Sequence, residues 1–420
     1  MIEEFEYAYM KKYWNIQLFQ WCNYFENGNY DLSLIDNEMF NIVHKYYCLI
    51  KPIDRRSKIA YLQIKKDLVD KNPLVSELRN RIDNQENYNK SIPPQLEENR
   101  YNYLLELSSR MKSDVVKLMN IRNKLSKEVG YSSYPELVFK TEEINKEMLV
   151  NLLNSFVEEN INKVLKLIAK YNIKWKSWFS DLNKISVPML DLNPVELINQ
   201  FIDKLGFNCI KEKIQINYME HEFSGVASEI SPKNIKIVAA PIHSLSDLTG
   251  LFHELGHAIS YYFNEEKGLY RILPASYDEA MAVVMEHLAP QILFDEFIKE
   301  KISEIQVLEY TRCAISSLYE FELWEKPEQA EELYIKHYSR LGLNINNPSI
   351  WACDTFRSID PVYIHNYVIG AVLSKYLNKY LVQNYRYDYL EWGKWLINNI
   401  YKDGRKRIFT EKISEVYAFK

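Results

Sequence analysis

A mainly α fold with one small β-sheet is expected from three features of the sequence. Only 11 glycines and 14 prolines interrupt its 420 residues. Long stretches, such as Thr141 to Ile173 and Glu328 to Leu341, repeat apolar residues at helical spacing with Lys and Glu between them. A run before residue 240 alternates instead with the period of two that strands show. With 47% hydrophobic residues, the chain can fill a large core or two lobes.

Taken in order, residues 1 to about 190 read as a helical lobe. Its breaks fall at Asn84 to Asn99, around Pro93-Pro94, and from Ser186-Val187-Pro188 to Asn193-Pro194. Residues from about 191 to 300 form the next stretch. Lys213 to Tyr218, Val226 to Ile230 and Asn234 to Ala239 predict three strands of a small antiparallel sheet, separated by turns at Ser224-Gly225 and Ser231-Pro232-Lys233. An edge of that sheet could pair with an extended peptide backbone. Residues from about 301 to 420 read as a helical remainder.

The segment His253-Glu254-Leu255-Gly256-His257 carries the chemistry. It has the H-E-x-x-H form of zinc hydrolases. Residues four apart share one face of a helix, so His253 and His257 can ligate one metal ion while Glu254 reaches a water bound to it. Ser246-Asp247-Leu248 offers a helix start, and Leu248, Leu251, Phe252, Leu255, Ile259 and Tyr262 recur at spacings of three and four, as an apolar stripe facing the core does. Gly256 costs roughly 1 kcal/mol relative to Ala inside a helix, which suggests close packing or room for a ligand.

A zinc peptidase needs a third protein ligand and an open fourth position. The run Tyr277 to Leu288 predicts a second helix with Glu279 and Glu286 on one face. Glu279 is the expected ligand, because Pro274-Ala275-Ser276 supplies the turn before it. Glu286 and Asp247 are the candidates to support the ligating imidazoles from behind.

With these residues in place, the chain resembles the oligoendopeptidase F and thimet oligopeptidase family of gluzincin zinc metallopeptidases. The likeness spans roughly residues 110 to 385. It includes the Arg122-Asn123 pair followed by Gly130-Tyr131, the approach Asp247 to Phe252, the glutamates Glu279 and Glu286, and the tyrosines Tyr363 and Tyr367. The resemblance implies a two-lobed zincin-like fold with a deep cleft that residues 301–420 help to close. It also implies one Zn²⁺ per chain, a peptide substrate, and tyrosine hydroxyls touching the reacting carbonyl. Family members commonly carry a histidine shortly ahead of the tyrosines, where this chain has Arg357 and Ser358. His365, between the two tyrosines, is the candidate to take over that role.

The expected reaction is hydrolysis of short peptides: Glu254 accepts a proton from the attacking water and later passes it to the leaving amine. Tyr363, Tyr367 and His365 are the candidates to stabilise the oxyanion. The alternatives are a protease dedicated to one polypeptide and an inactive peptide-binding homologue. A net charge of −5 with 26% charged residues argues against nucleic acid as a partner. Five scattered cysteines without a CxxC pair argue for reduced thiols and a cytoplasmic location. The acidic start, Met1 to Glu6, and the lack of any run of 18 apolar residues signal neither secretion nor a membrane span.

Overall fold

The structure, a computed structural model, describes residues 1–87, 97–185, 193–219 and 225–417. The breaks expected at Pro93-Pro94 and Ser186-Val187-Pro188, and the turn residue Ser224, lie outside the described residues. Helices dominate, as the low glycine and proline content requires, and no helix among the described residues is long and apolar enough to cross a membrane.

The chain divides into two compact units, each assembled from separate segments. The first comprises Met1–Lys12, Asp31–Asp181 and Val307–His365; the second comprises Tyr13–Tyr30, Leu182–Gln306 and Asn366–Lys420. Two divisions fall inside the long helices Ile2–Phe25 and Glu296–Glu325. A break in the apolar pattern cannot mark such boundaries, because the helical period runs through them.

In the first unit, the Arg-Asn pair is a structural clamp on helix α1 (Glu97–Glu128). Arg122 is almost fully buried and donates from Nη1 to the Ser358 carbonyl at 2.6 Å. Its guanidinium lies 5.3 Å from the ring centre of Tyr134, the first residue of helix α2 (Tyr134–Thr141). Asn123 accepts the Tyr134 N–H at 2.9 Å and so fixes the turn between the two helices. That turn contains Gly130 at φ +91°, a conformation that glycine tolerates without a Cβ clash. Downstream of the clamp, Val362 adopts φ 60°, unusual for a β-branched residue. The buried carboxylate of Glu320 accepts its N–H at 2.7 Å and is itself paired with Arg357.

His365 lies in this unit, completely buried, with Phe139 and Phe321 at 5.7 and 5.8 Å between ring centres. Neither ring nitrogen has a hydrogen-bond partner among the described residues. Burial pushes the imidazole down to about 3. The neutral ring therefore contributes stability that is fully present above its unfolded value near 6.5 and is lost as pH falls from there towards 3. Over that window the loss amounts to at most about 5 kcal/mol. His365→Leu is expected to flatten the fall of melting temperature with acidity between pH 6.5 and 4. An unchanged slope in thermal melts would refute this.

The second unit holds a three-stranded sheet: β1 (Ile214–Tyr218), β2 (Gly225–Ser231) and β3 (Asn234–Ala239), in the order β1-β3-β2. The three strands lie where expected, but the sheet is mixed rather than antiparallel. β2 and β3 form the expected hairpin, whereas β1 pairs parallel to β3, from Ile214 beside Ile235 to Tyr218 beside Ala239. β3 takes the centre, where its residues Ile235, Ile237 and Val238 are fully buried, leaving β1 and β2 at the edges.

Helices α3 (Leu245–Phe263) and α4 (Ala275–Leu293) pack closely. A Cβ on Gly256 would lie 2.7 Å from the Ala282 Cα, so Gly256 serves close packing of the two backbones. Gly370 of helix α5 (His365–Tyr385) does the same against α4, where a Cβ would meet Val283 and Ala280 at 2.6 and 3.0 Å. Between these contacts α4 runs with Ala280 to Met285 fully buried.

Candidate metal centre

Helix α3 begins two residues earlier than the sequence suggests. Ser244 is the N-cap and accepts the Asp247 N–H at 3.2 Å, while the Asp247 carboxylate accepts the Ser244 hydroxyl at 2.8 Å and the His243 N–H at 2.9 Å. Asp247 thus closes a reciprocal cap on the first turn. The hydrogen bonds of this carboxylate, expected to support an imidazole, go to the helix start.

From this start, two turns of α3 carry His253 and His257 to one face, with ring centres 5.0 Å apart. Their Nε2 atoms converge on the carboxylate of Glu279 in the first turn and a half of α4. His253 Nε2 lies 3.1 Å from Oε2 and His257 Nε2 lies 3.7 Å from Oε1. One donor atom from each of the three residues falls within 4.8 Å of the others. Two imidazole nitrogens and one carboxylate oxygen are the donor set of open catalytic zinc sites.

Each imidazole is met by a carboxylate on its outer nitrogen. His253 Nδ1 lies 3.4 Å from Glu286 Oε2, and Glu286 is held by the Gln306 amide at 2.9 Å. His257 Nδ1 lies 3.1 Å from Asp278 Oδ1, close enough for ion pairing though off the line of a full hydrogen bond. Carboxylates in these positions favour a proton on Nδ1 and leave Nε2 as the inward donor, so the residues fit a zinc ion. Burial opposes charge on both rings. For His253 it is outweighed by Glu279 and Glu286, which hold the ring well above the ordinary histidine range. For His257, Asp278 and Glu279 outweigh it and raise the ring to about 9.

Glu254 is buried beside this group. Burial pushes its carboxyl above the usual range, against the pull of the two histidines and an N–H contributed by Ala227 of β2. Gly225, also on β2, makes room for it: a Cβ there would sit 2.6 Å from Glu254 Cγ and 3.1 Å from the Val238 carbonyl oxygen. Gly225→Ala is accordingly expected to displace Glu254 and lower kcat by about tenfold to a hundredfold, since a misplacement of about 1 Å can cost that much. Metal content and KM should change little; steady-state kinetics with metal analysis would check it, and an unaltered kcat would refute it.

The remaining candidates are distributed between the units. The Tyr367 ring, on α5, lies 5.8 Å from that of His253. Tyr363 belongs to the first unit, where its ring stacks on Phe356 at 5.6 Å. His365 is enclosed in the first unit's core as described above. The part expected of it, a hydrogen bond to the oxyanion, would need one of its ring nitrogens, neither of which has a partner among the described residues. The sequence reading missed Asp278, Ala227 and Gly225. Asp278 carried one signal, a carboxylate adjacent to the expected third ligand in the first turn of its helix.

No protein-family model and no curated protein sequence matches the chain. Solved structures do. An M32 carboxypeptidase from Deinococcus radiodurans R1 matches with a TM-score of 0.70 at 12% identity, covering 100% of this chain and 94% of that one. An oligoendopeptidase F matches at 0.70 with 14% identity, over 92% of this chain and 82% of the other. Metallocarboxypeptidase 1 of Trypanosoma cruzi matches at 0.65 with 13% identity, over 99% and 96%. Likeness at this level of identity establishes the architecture.

Proposed function

We propose that this chain, built on the gluzincin peptidase fold, is a zinc-dependent peptidase that hydrolyses short peptides. The observation that carries the reading is the convergence of His253 Nε2, His257 Nε2 and the Glu279 carboxylate beside the buried Glu254. When bound, a zinc ion supplies a Lewis acid that polarises the scissile carbonyl and eases deprotonation of water.

The chain's own residues do the rest. Glu254, kept less acidic by burial, takes the proton from the attacking water and delivers it to the leaving amine nitrogen. The Ala227 N–H and the space at Gly225 fix the direction in which its carboxylate points. Glu286 and Asp278 hold the two imidazoles from behind. The Tyr367 hydroxyl is the candidate within this unit to donate to the oxyanion. β2, an edge strand next to Glu254, is the candidate to line up with an extended peptide.

A second reading, removal of residues from the peptide C-terminus, is favoured by the carboxypeptidases matched over nearly the whole length of both chains. Mass-spectrometric mapping of cuts in a peptide mixture, with free and amidated C-termini, separates the two. Internal cuts indifferent to amidation are expected for an oligopeptidase; a C-terminal ladder abolished by amidation would establish the second reading. No cleavage by a chain containing one zinc would overturn both.

A further inference from the structure

We propose that Tyr261 is a positioning residue of this metal centre, its hydroxyl setting the Asp278 carboxylate that in turn orients His257. The inference rests on the zinc reading given above. Three observations converge on it. Tyr261 lies one helical turn beyond His257 on α3, and the two rings are nearly parallel, 20° between planes, with centres 6.1 Å apart. Its hydroxyl donates to Asp278 Oδ2 at 2.7 Å, while Asp278 Oδ1 faces His257 Nδ1 at 3.1 Å. Thus one side chain lies beside the ligating ring and donates to its carboxylate.

The third observation is that the backbone of Tyr261 is anchored. Arg271, buried, donates from Nη2 to the Tyr261 carbonyl at 3.0 Å and from Nη1 to those of Asn264 and Glu266 at 2.8 and 3.2 Å. The same guanidinium is paired with the buried Glu229 of β2, its Nε reaching Oε2 at 3.0 Å. A cation bound to the last carbonyls of α3 holds that helix end in place. The phenol is therefore aimed from a fixed point. Without its hydroxyl, Asp278 could rotate about its own side-chain bonds and leave Nδ1 of His257 without a fixed partner. A hydrogen-bonded support of a ligating histidine typically carries a 10- to 100-fold share of metal affinity.

The experiment is a double-mutant cycle read as Zn²⁺ affinity, measured by competition with a chromophoric chelator on the full chain. Tyr261→Phe keeps the ring against His257 and removes only the hydroxyl. It is expected to bind Zn²⁺ about tenfold more weakly, with the metal-free melting temperature unchanged. Asp278→Asn should lose at least as much, and the double variant should be no weaker than Asp278→Asn alone. Parental affinity in Tyr261→Phe overturns the proposal, as does a double variant whose loss is the product of the two single losses. A Tyr261→Phe chain that is already unfolded without metal also overturns it, since the hydroxyl would then serve the fold. Failure of the parent chain to bind Zn²⁺ in a His253-dependent way would sink the zinc reading as well, and is distinguishable because it appears before any variant is made.

Discussion

Glu254→Gln is expected to lower kcat by about 10²–10⁴-fold while one zinc per chain is retained. The amide has the shape of the carboxylate, so it still fits the space left by Gly225, and its oxygen can still accept the Ala227 N–H. It cannot hold the proton of the attacking water. The effect should therefore appear in kcat and spare the metal, whose three ligands are untouched. Steady-state kinetics on a peptide cleaved by the parent chain, together with metal analysis, decide the matter. Residual turnover within about tenfold of the parent would remove Glu254 from its assigned role. Loss of the zinc together with the activity would show that the variant damaged the site rather than its chemistry.

How far the sequence could carry these assignments depends on the kind of physics involved. The ligand helix was legible because a spacing of four places His253 and His257 on one face whatever the surroundings. The helix of Glu279 and Glu286 was legible for the same reason. Asp278 was not. A helix turns about 100° per residue, so neighbours in sequence face different groups, and only the close packing of α3 on α4 at Gly256 shows that Asp278 reaches His257 while Glu279 reaches both Nε2 atoms.

The hydrogen bonds of Asp247 depend on where the helix begins. A start at Ser244 makes it the third helical residue and commits its carboxylate to the cap. The parallel pairing of β1 was hidden too, since an alternation of apolar residues has the same period whichever way a strand runs beside its neighbour. His365 illustrates the general difficulty. Its neighbours Phe139 and Phe321 are remote in sequence, so the apolar surroundings of the ring could not be read from its own segment. Residue type was informative at each of these positions, but environment assigned the role.

Glu279→Ala should weaken zinc binding far more than Glu286→Ala, and this contrast tests the ligand assignment directly. Glu279 places one oxygen near each Nε2, at 3.1 and 3.7 Å, so that one cation could be shared by all three side chains. Zinc held by protein side chains is bound with about 10–16 kcal/mol, so one ligand of about four accounts for roughly 2.5–4 kcal/mol, on the order of a hundredfold to a thousandfold in affinity. Glu286 meets the outer nitrogen of His253 at 3.4 Å, and its second oxygen accepts from Gln306. Removing it should cost about 10- to 100-fold. Both carboxylates are buried, so each alanine variant also leaves a small void, and metal-free melting temperatures must be measured beside the affinities. The two variants should melt alike without zinc and separate sharply when it is added. The reverse ranking would transfer the third ligand to Glu286. Equal losses would mean that neither carboxylate alone completes the site, and the donor set drawn from this geometry would be wrong.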